Sequence, residues 1–115
     1  MPTRLNTAAA RLRRRIKSAS GLKNLQAIPG VGPTIARDLI ALGIHSVSDL
    51  RKKNPEVLYE EHCIQKGLPV DRCLLYVFRC AVYYASTRRP QPDLLKWWNW
   101  KNRVLRNGKA ECVQP

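Results

Sequence analysis

The segment Ile28-Pro29-Gly30-Val31-Gly32-Pro33 limits what this chain can become more than any other stretch. Leu22, Leu25 and Ile28 fall at helical spacing before it, and a helix built on them must stop at Pro29, whose ring blocks further turns. Pro33 suits the first position of a new helix, where its missing N–H leaves nothing unsatisfied. Ile35, Leu39, Ile40 and Leu42 give that second helix an apolar side, and Gly43 ends it. Two short amphipathic helices must therefore meet across a tight glycine-containing turn. The first amides of the second helix lack intrahelical partners and lie at the positive end of its dipole. Glycines at 30 and 32 remove side chains that would hold an anion off the backbone. The Gly30, Gly32, Thr34 and Ile35 amides are thus candidate phosphate donors, with Pro29, Val31 and Pro33 shaping the turn. The Thr34 hydroxyl, Lys23 and Arg37 are candidate further contacts.

The rest of the chain reads as more short helices. Ser46 with Asp49 three residues on resembles a capping box for a third, with Val47 and Leu50 facing inward. Asn54-Pro55 opens a fourth with Val57, Leu58, Cys63 and Ile64 as its apolar surface, and Gly67 closes it. Asp71 is placed to cap the longest helix, residues 72–86, which is apolar nearly all round and so must be the central packing element. After a proline-bearing linker, Asp93 can cap a last helix carrying Leu94, Leu95, Trp97, Trp98 and Trp100. The expected fold is all-α, of five to six short helices. A basic arm occupies residues 1–20, a single domain residues 21–104 and a flexible tail residues 105–115, since 115 residues leave room for one modest core.

Charge narrows the function. Residues 1–37 hold eight Lys or Arg and no Asp or Glu, and so contribute +8 of the net +13. Such a surplus favours a polyanionic partner through direct attraction and counterion release. Residues 8–17 can form a helix covered by Arg11, Arg13, Arg14, Arg15 and Lys17, either a solvated arm or one that lies along phosphates. No apolar run is long enough to span a bilayer and no secretory signal is visible, so a cytoplasmic protein without a membrane partner is expected.

The order of elements from residue 22 to 68 resembles the helix-hairpin-helix (SAM-like) domains of repair and recombination proteins, which implies sequence-independent binding to the DNA backbone. In such domains two hairpins are usually paired; here the second half lacks a Gly-x-Gly turn. Asp71-Arg72-Cys73, Tyr76-Val77-Phe78-Arg79-Cys80-Ala81-Val82-Tyr83 and Leu95-Lys96-Trp97-Trp98-Asn99-Trp100 resemble the small bacterial proteins of the pathogenicity-locus (Cdd-type), or mitomycin-resistance, family. With the hairpin, that resemblance spans about residues 21–102.

Other constellations favour packing over chemistry. Cys63, Cys73 and Cys80 read as buried reduced thiols; with His62 they could approach a tetrahedral metal site, yet no short-range ligand pair is present. No metal or cofactor is expected. Three tryptophans at these spacings cover a small core, and any that points outward, Trp98 or another, becomes a candidate for stacking on unpaired bases. No catalytic triad, carboxylate pair or phosphate-loop lysine is present, so no enzyme is expected. The alternative to DNA binding is an adaptor that docks a larger DNA-processing protein through the turn or the Trp100 end.

Overall fold

The computed structural model describes residues 20–106 and 109–112. The basic stretch expected to be helical over residues 8–17 lies outside them. Helix α1 covers residues 20–25, α2 Pro33–Ala41, α3 Pro55–Lys66 and α4 Cys73–Ser86. A short 3-10 turn at Val47–Leu50 lies between α2 and α3, two more at Pro92–Leu95 and Trp97–Trp100 follow α4, and strands β1 (Arg103–Arg106) and β2 (Lys109–Cys112) pair antiparallel. The described chain is thus mostly helical.

Helix α4 is the hub. Val77, Phe78, Ala81, Val82 and Ala85 belong to one cluster with Leu25, Ile28, Val31, Ala36, Leu39, Ile44, Leu50 and Leu58, so a single core joins α4 to the first two helices and the turn between them. Its other side meets Leu94 and Trp100 through Cys80 and Tyr83. The single charged residue within α4, Arg79, is only 7% exposed. Its Nε donates to Glu56 Oε1 of α3 at 3.0 Å and its Nη1 to the Trp100 carbonyl at 3.0 Å, while the guanidinium carbon sits 5.7 Å from the Tyr76 ring centroid. A buried cation needs such partners, and these three tie α3, α4 and the tryptophan segment together.

Helix α1 is anchored to the loop after α2 by a backbone approach that only glycine permits. A Cβ on Gly21 would stand 2.7 Å from the His45 carbonyl oxygen. Asn24 Oδ1 accepts the Val47 amide at 2.8 Å from the same helix. Alanine is the better helix former by about 1 kcal/mol, yet overpacking against backbone costs about 1–3 kcal/mol. Gly21→Ala should therefore destabilise the domain in urea unfolding; a stabilised variant would show that α1 does not sit against His45.

Several expectations need correction. Helix α3 turns Pro55, Leu58 and His62 inward, at positions i, i+3 and i+7, and leaves Val57 and Ile64 at 45% and 78% exposure rather than in the core. Ser46 Oγ does accept the Asp49 amide, but Asp49 reaches back to the His45 amide, and only a 3-10 turn follows. The expected tryptophan-bearing helix is two 3-10 turns broken at Lys96, which is extended (φ −95°, ψ 111°). Side chains take the carbonyls an α-helix would have used: Trp100 Nε1 donates to the Leu94 carbonyl at 2.8 Å and Asn99 Nδ2 to that of Asp93 at 2.7 Å. Asp93 makes no cap and lies 3.8 Å from Lys96 Nζ. Residues 105, 106 and 109–112, expected in a flexible tail, are strand residues instead, paired Leu105 to Ala110 and Arg106 to Lys109. Leu105 and Ala110 pack against the Trp100 cluster, which gives the hairpin an apolar side to rest on.

Candidate nucleic-acid interface

The two glycines of the turn do different work. The Ile28 carbonyl accepts the Val31 amide at 3.1 Å, and Gly30 has φ +85°, as the third residue of a type II turn with proline second requires. A Cβ there would also meet Trp97 Cδ1 at 3.1 Å. Gly30 thus shapes the backbone and receives an indole. Gly32 has φ −95°, an ordinary value, and a Cβ built on it would meet nothing within 4 Å. Its role is to leave space.

Gly32 is the N-cap of α2 with no side chain bonded to the helix start, and Pro33 follows at N1. The Ala36 amide bonds to the Gly32 carbonyl at 2.9 Å, but among the described residues the Gly32, Thr34 and Ile35 amides have no acceptor. Val31 is buried and Ile35 half-buried, so both side chains anchor the turn in the core. Pro33, Thr34, Arg37 and Lys23 are exposed, and Pro29 is half-buried. The nine residues expected to form the site fall on one continuous stretch of α1, turn and α2.

Helix α4 begins differently. Asp71 Oδ1 accepts the Cys73 amide at 2.9 Å, and that donor holds the Asp71 carboxyl below the usual carboxylate range. A carboxylate therefore already occupies the positive end of α4, where it would repel a phosphate. Asp71 thus bonds the first amide of α4 as expected, but from the position before the N-cap residue Arg72, and the start of α4 is unlike that of α2.

Residues 18–105 match the pattern of a family described as pathogenicity locus, Cdd1. The chain belongs to the Cdd1 pathogenicity locus family. It is also similar to the mitomycin resistance protein McrB of Streptomyces lavendulae, 30% identical over 83 residues that cover 72% of this chain and 75% of the relative. No solved structure matches. The Cdd1 match takes in the turn, all of α4, the tryptophan segment and most of β1.

Among the described residues, Cys63, Cys73 and Cys80 do not converge on one site. Cys80 is buried with its Sγ 3.5 Å from the Leu94 carbonyl, Cys63 is half-buried, and Cys73 is exposed in the first turn of α4, contrary to the expected burial. His62 is buried with its ring centroid 6.3 Å from that of Phe78. Among the described residues no three His, Cys, Asp or Glu side chains are arranged to hold a metal ion. Burial pushes the Cys80 thiol up to about 11. Alkylation at alkaline pH, mapped by mass spectrometry, should label exposed Cys73 well before Cys80, even though the Asp71 carboxylate pushes the Cys73 thiol up as well, and should leave Cys80 unmodified until the protein unfolds, because its thiolate is both scarce and inaccessible. Rapid labelling of folded Cys80 would show that the Trp100 side of the core opens readily.

Sequence reasoning missed three structural roles near this surface. Arg79 was legible as the lone charge in an apolar helix, and Asn24 as the polar residue beside Leu25 on an amphipathic one. The contact of Trp97 with Gly30 had no local signal, since it joins positions far apart in the chain.

Proposed function

We propose that this chain is a helix-hairpin-helix protein that grips the phosphate backbone of DNA without reading base sequence, as a non-enzymatic cytoplasmic component of DNA repair or recombination. The observation that carries this reading is the open start of α2: three donor amides unpaired among the described residues, with no side chain above Gly32. Backbone donors at a helix N-terminus form a ready anion site. Exposed Lys23 on α1 and Arg37 one turn into α2 add positive charge to the two helices that the turn joins, and the +13 charge of the chain favours DNA as the anion's bearer. Because amides and phosphates carry no sequence information, affinity should be alike for unrelated duplexes and should fall steeply with salt. Salt-insensitive binding, or strong preference for one sequence, would count against it.

A second reading, an adaptor for a DNA-processing protein, draws support from α3 rather than from the Trp100 end, since Trp100 is 0% exposed. Val57 and Ile64 stand seven residues apart on an outward face, with exposed Glu60 and Glu61 between them. An acidic, partly apolar face repels DNA and suits a protein. On this reading Ile64→Asp would abolish co-purification with a protein partner from nuclease-treated lysate while DNA binding persists.

A further inference from the structure

Trp98 is 57% exposed, an unusual position for the largest apolar side chain in a small domain whose Trp100 is wholly buried. It borders an open cleft of about 310 Å³ lined by Asp71, Arg72, Cys73, Tyr76, Trp97, Trp98 and Lys101. That volume is at the lower end of pockets that hold small organic molecules. Trp97 stands edge-on to Trp98, with ring centroids 5.8 Å apart and planes at 87°, so the two indoles do not cover each other face to face. Arg79 sits over Tyr76 from the core side. Arg72 and Lys101 are exposed at the cleft, while the Asp71 carboxylate is already engaged by the Cys73 amide.

The chemistry that fits is a flat, aromatic, hydrogen-bonding group. The indole of Trp98 offers a stacking face and the guanidinium of Arg72 a second planar surface, while Lys101 supplies a cation that offsets the Asp71 carboxylate at the cleft. Trp97 joins this cleft to the turn: its Cδ1 lies against Gly30 and its ring meets that of Trp98 at close to a right angle. We infer that the cleft receives an unpaired base of a DNA strand whose backbone is held at Gly32, making this protein a reader of single-stranded or partly unpaired DNA. The inference rests on the backbone-binding reading above and adds to it the form of DNA preferred.

The test compares the full chain with Trp98→Ala and Trp98→Phe on three fluorescent probes: a blunt duplex, the same duplex with a single-stranded overhang, and oligothymidylate. Wild-type protein should bind the overhang and the single strand roughly tenfold more tightly than the blunt duplex, the scale of one stacked base. Trp98→Ala should lose that preference while keeping its affinity for the blunt duplex, and Trp98→Phe should restore part of it. Because Trp98 is exposed, folding of both variants is checked by circular dichroism, and Arg72→Ala, which leaves every indole in place, should weaken the same preference. Equal wild-type binding to all three probes, or a preference that Trp98→Ala and Arg72→Ala leave intact, overturns the base pocket and leaves the backbone clamp standing. Absence of binding to every probe overturns both.

Discussion

Replacing Gly32 by aspartate should raise the melting temperature and, in the same protein, weaken DNA binding at least tenfold. The space above Gly32 is empty, so a side chain enters without a clash. Its backbone angles (φ −95°, ψ −173°) are those of an ordinary N-cap residue. Aspartate is among the best N-caps, better than glycine by a few tenths of a kcal/mol, and loss of glycine's freedom in the unfolded chain adds about 0.4–1 kcal/mol. A carboxylate at the positive end of α2 would satisfy amides now unpaired among the described residues, much as Asp71 does for α4. The same carboxylate would take the place of the phosphate and repel it. A hydrogen bond to a charged group contributes about 1.5–3 kcal/mol, which alone is more than tenfold in affinity. Thermal unfolding and anisotropy titration on one preparation separate the two effects. A destabilised Gly32→Asp variant would mean that the open helix start is a folding requirement and not a binding surface.

Trp100→Ala should have the largest effect on stability, a loss of about 3–5 kcal/mol. Trp100 is fully buried, its ring centroid lies 5.3 Å from that of Tyr83, and its Nε1 holds the Leu94 carbonyl. Domains of this size are stable by only about 5–15 kcal/mol, so the variant should stand near the edge of folding. Trp100→Phe keeps most of the apolar volume but leaves the Leu94 carbonyl with only the weak Cys80 thiol donor, and should cost about 1–3 kcal/mol. Chemical denaturation of the three proteins gives the order directly. A loss below about 1 kcal/mol for Trp100→Ala would mean that the tryptophan segment is an appendage rather than part of the core.

Local rules made much of this legible. Prolines at 33 and 55 and glycines at 43 and 67 punctuate the helices because their backbone limits act at their own positions, whereas α1 ends at residue 25, ahead of the expected stop at Pro29; Gly43 and Gly67 adopt φ +88° and +71°. Apolar periodicity exposed α4 as the hub. What escaped depends on distant partners. Ile64 reads as core by composition, yet the face of α3 that meets α4 is set by His62 and Leu58. The tryptophan run reads as a helix until its own side chains claim the backbone carbonyls. At the turn, both glycines looked like gaps left for a phosphate; only the fold separates Gly30, which receives Trp97, from Gly32, which stays open.

The most direct measurement of the backbone-clamp reading is fluorescence anisotropy of unrelated DNA duplexes titrated with wild-type protein and folded Gly32→Asp at several salt concentrations. Wild-type binding that is alike across sequences, falls steeply with salt and drops at least tenfold in the variant is the expected result. Equal affinities and equal salt slopes for the two proteins would contradict it, and would assign whatever binding remains to diffuse positive charge.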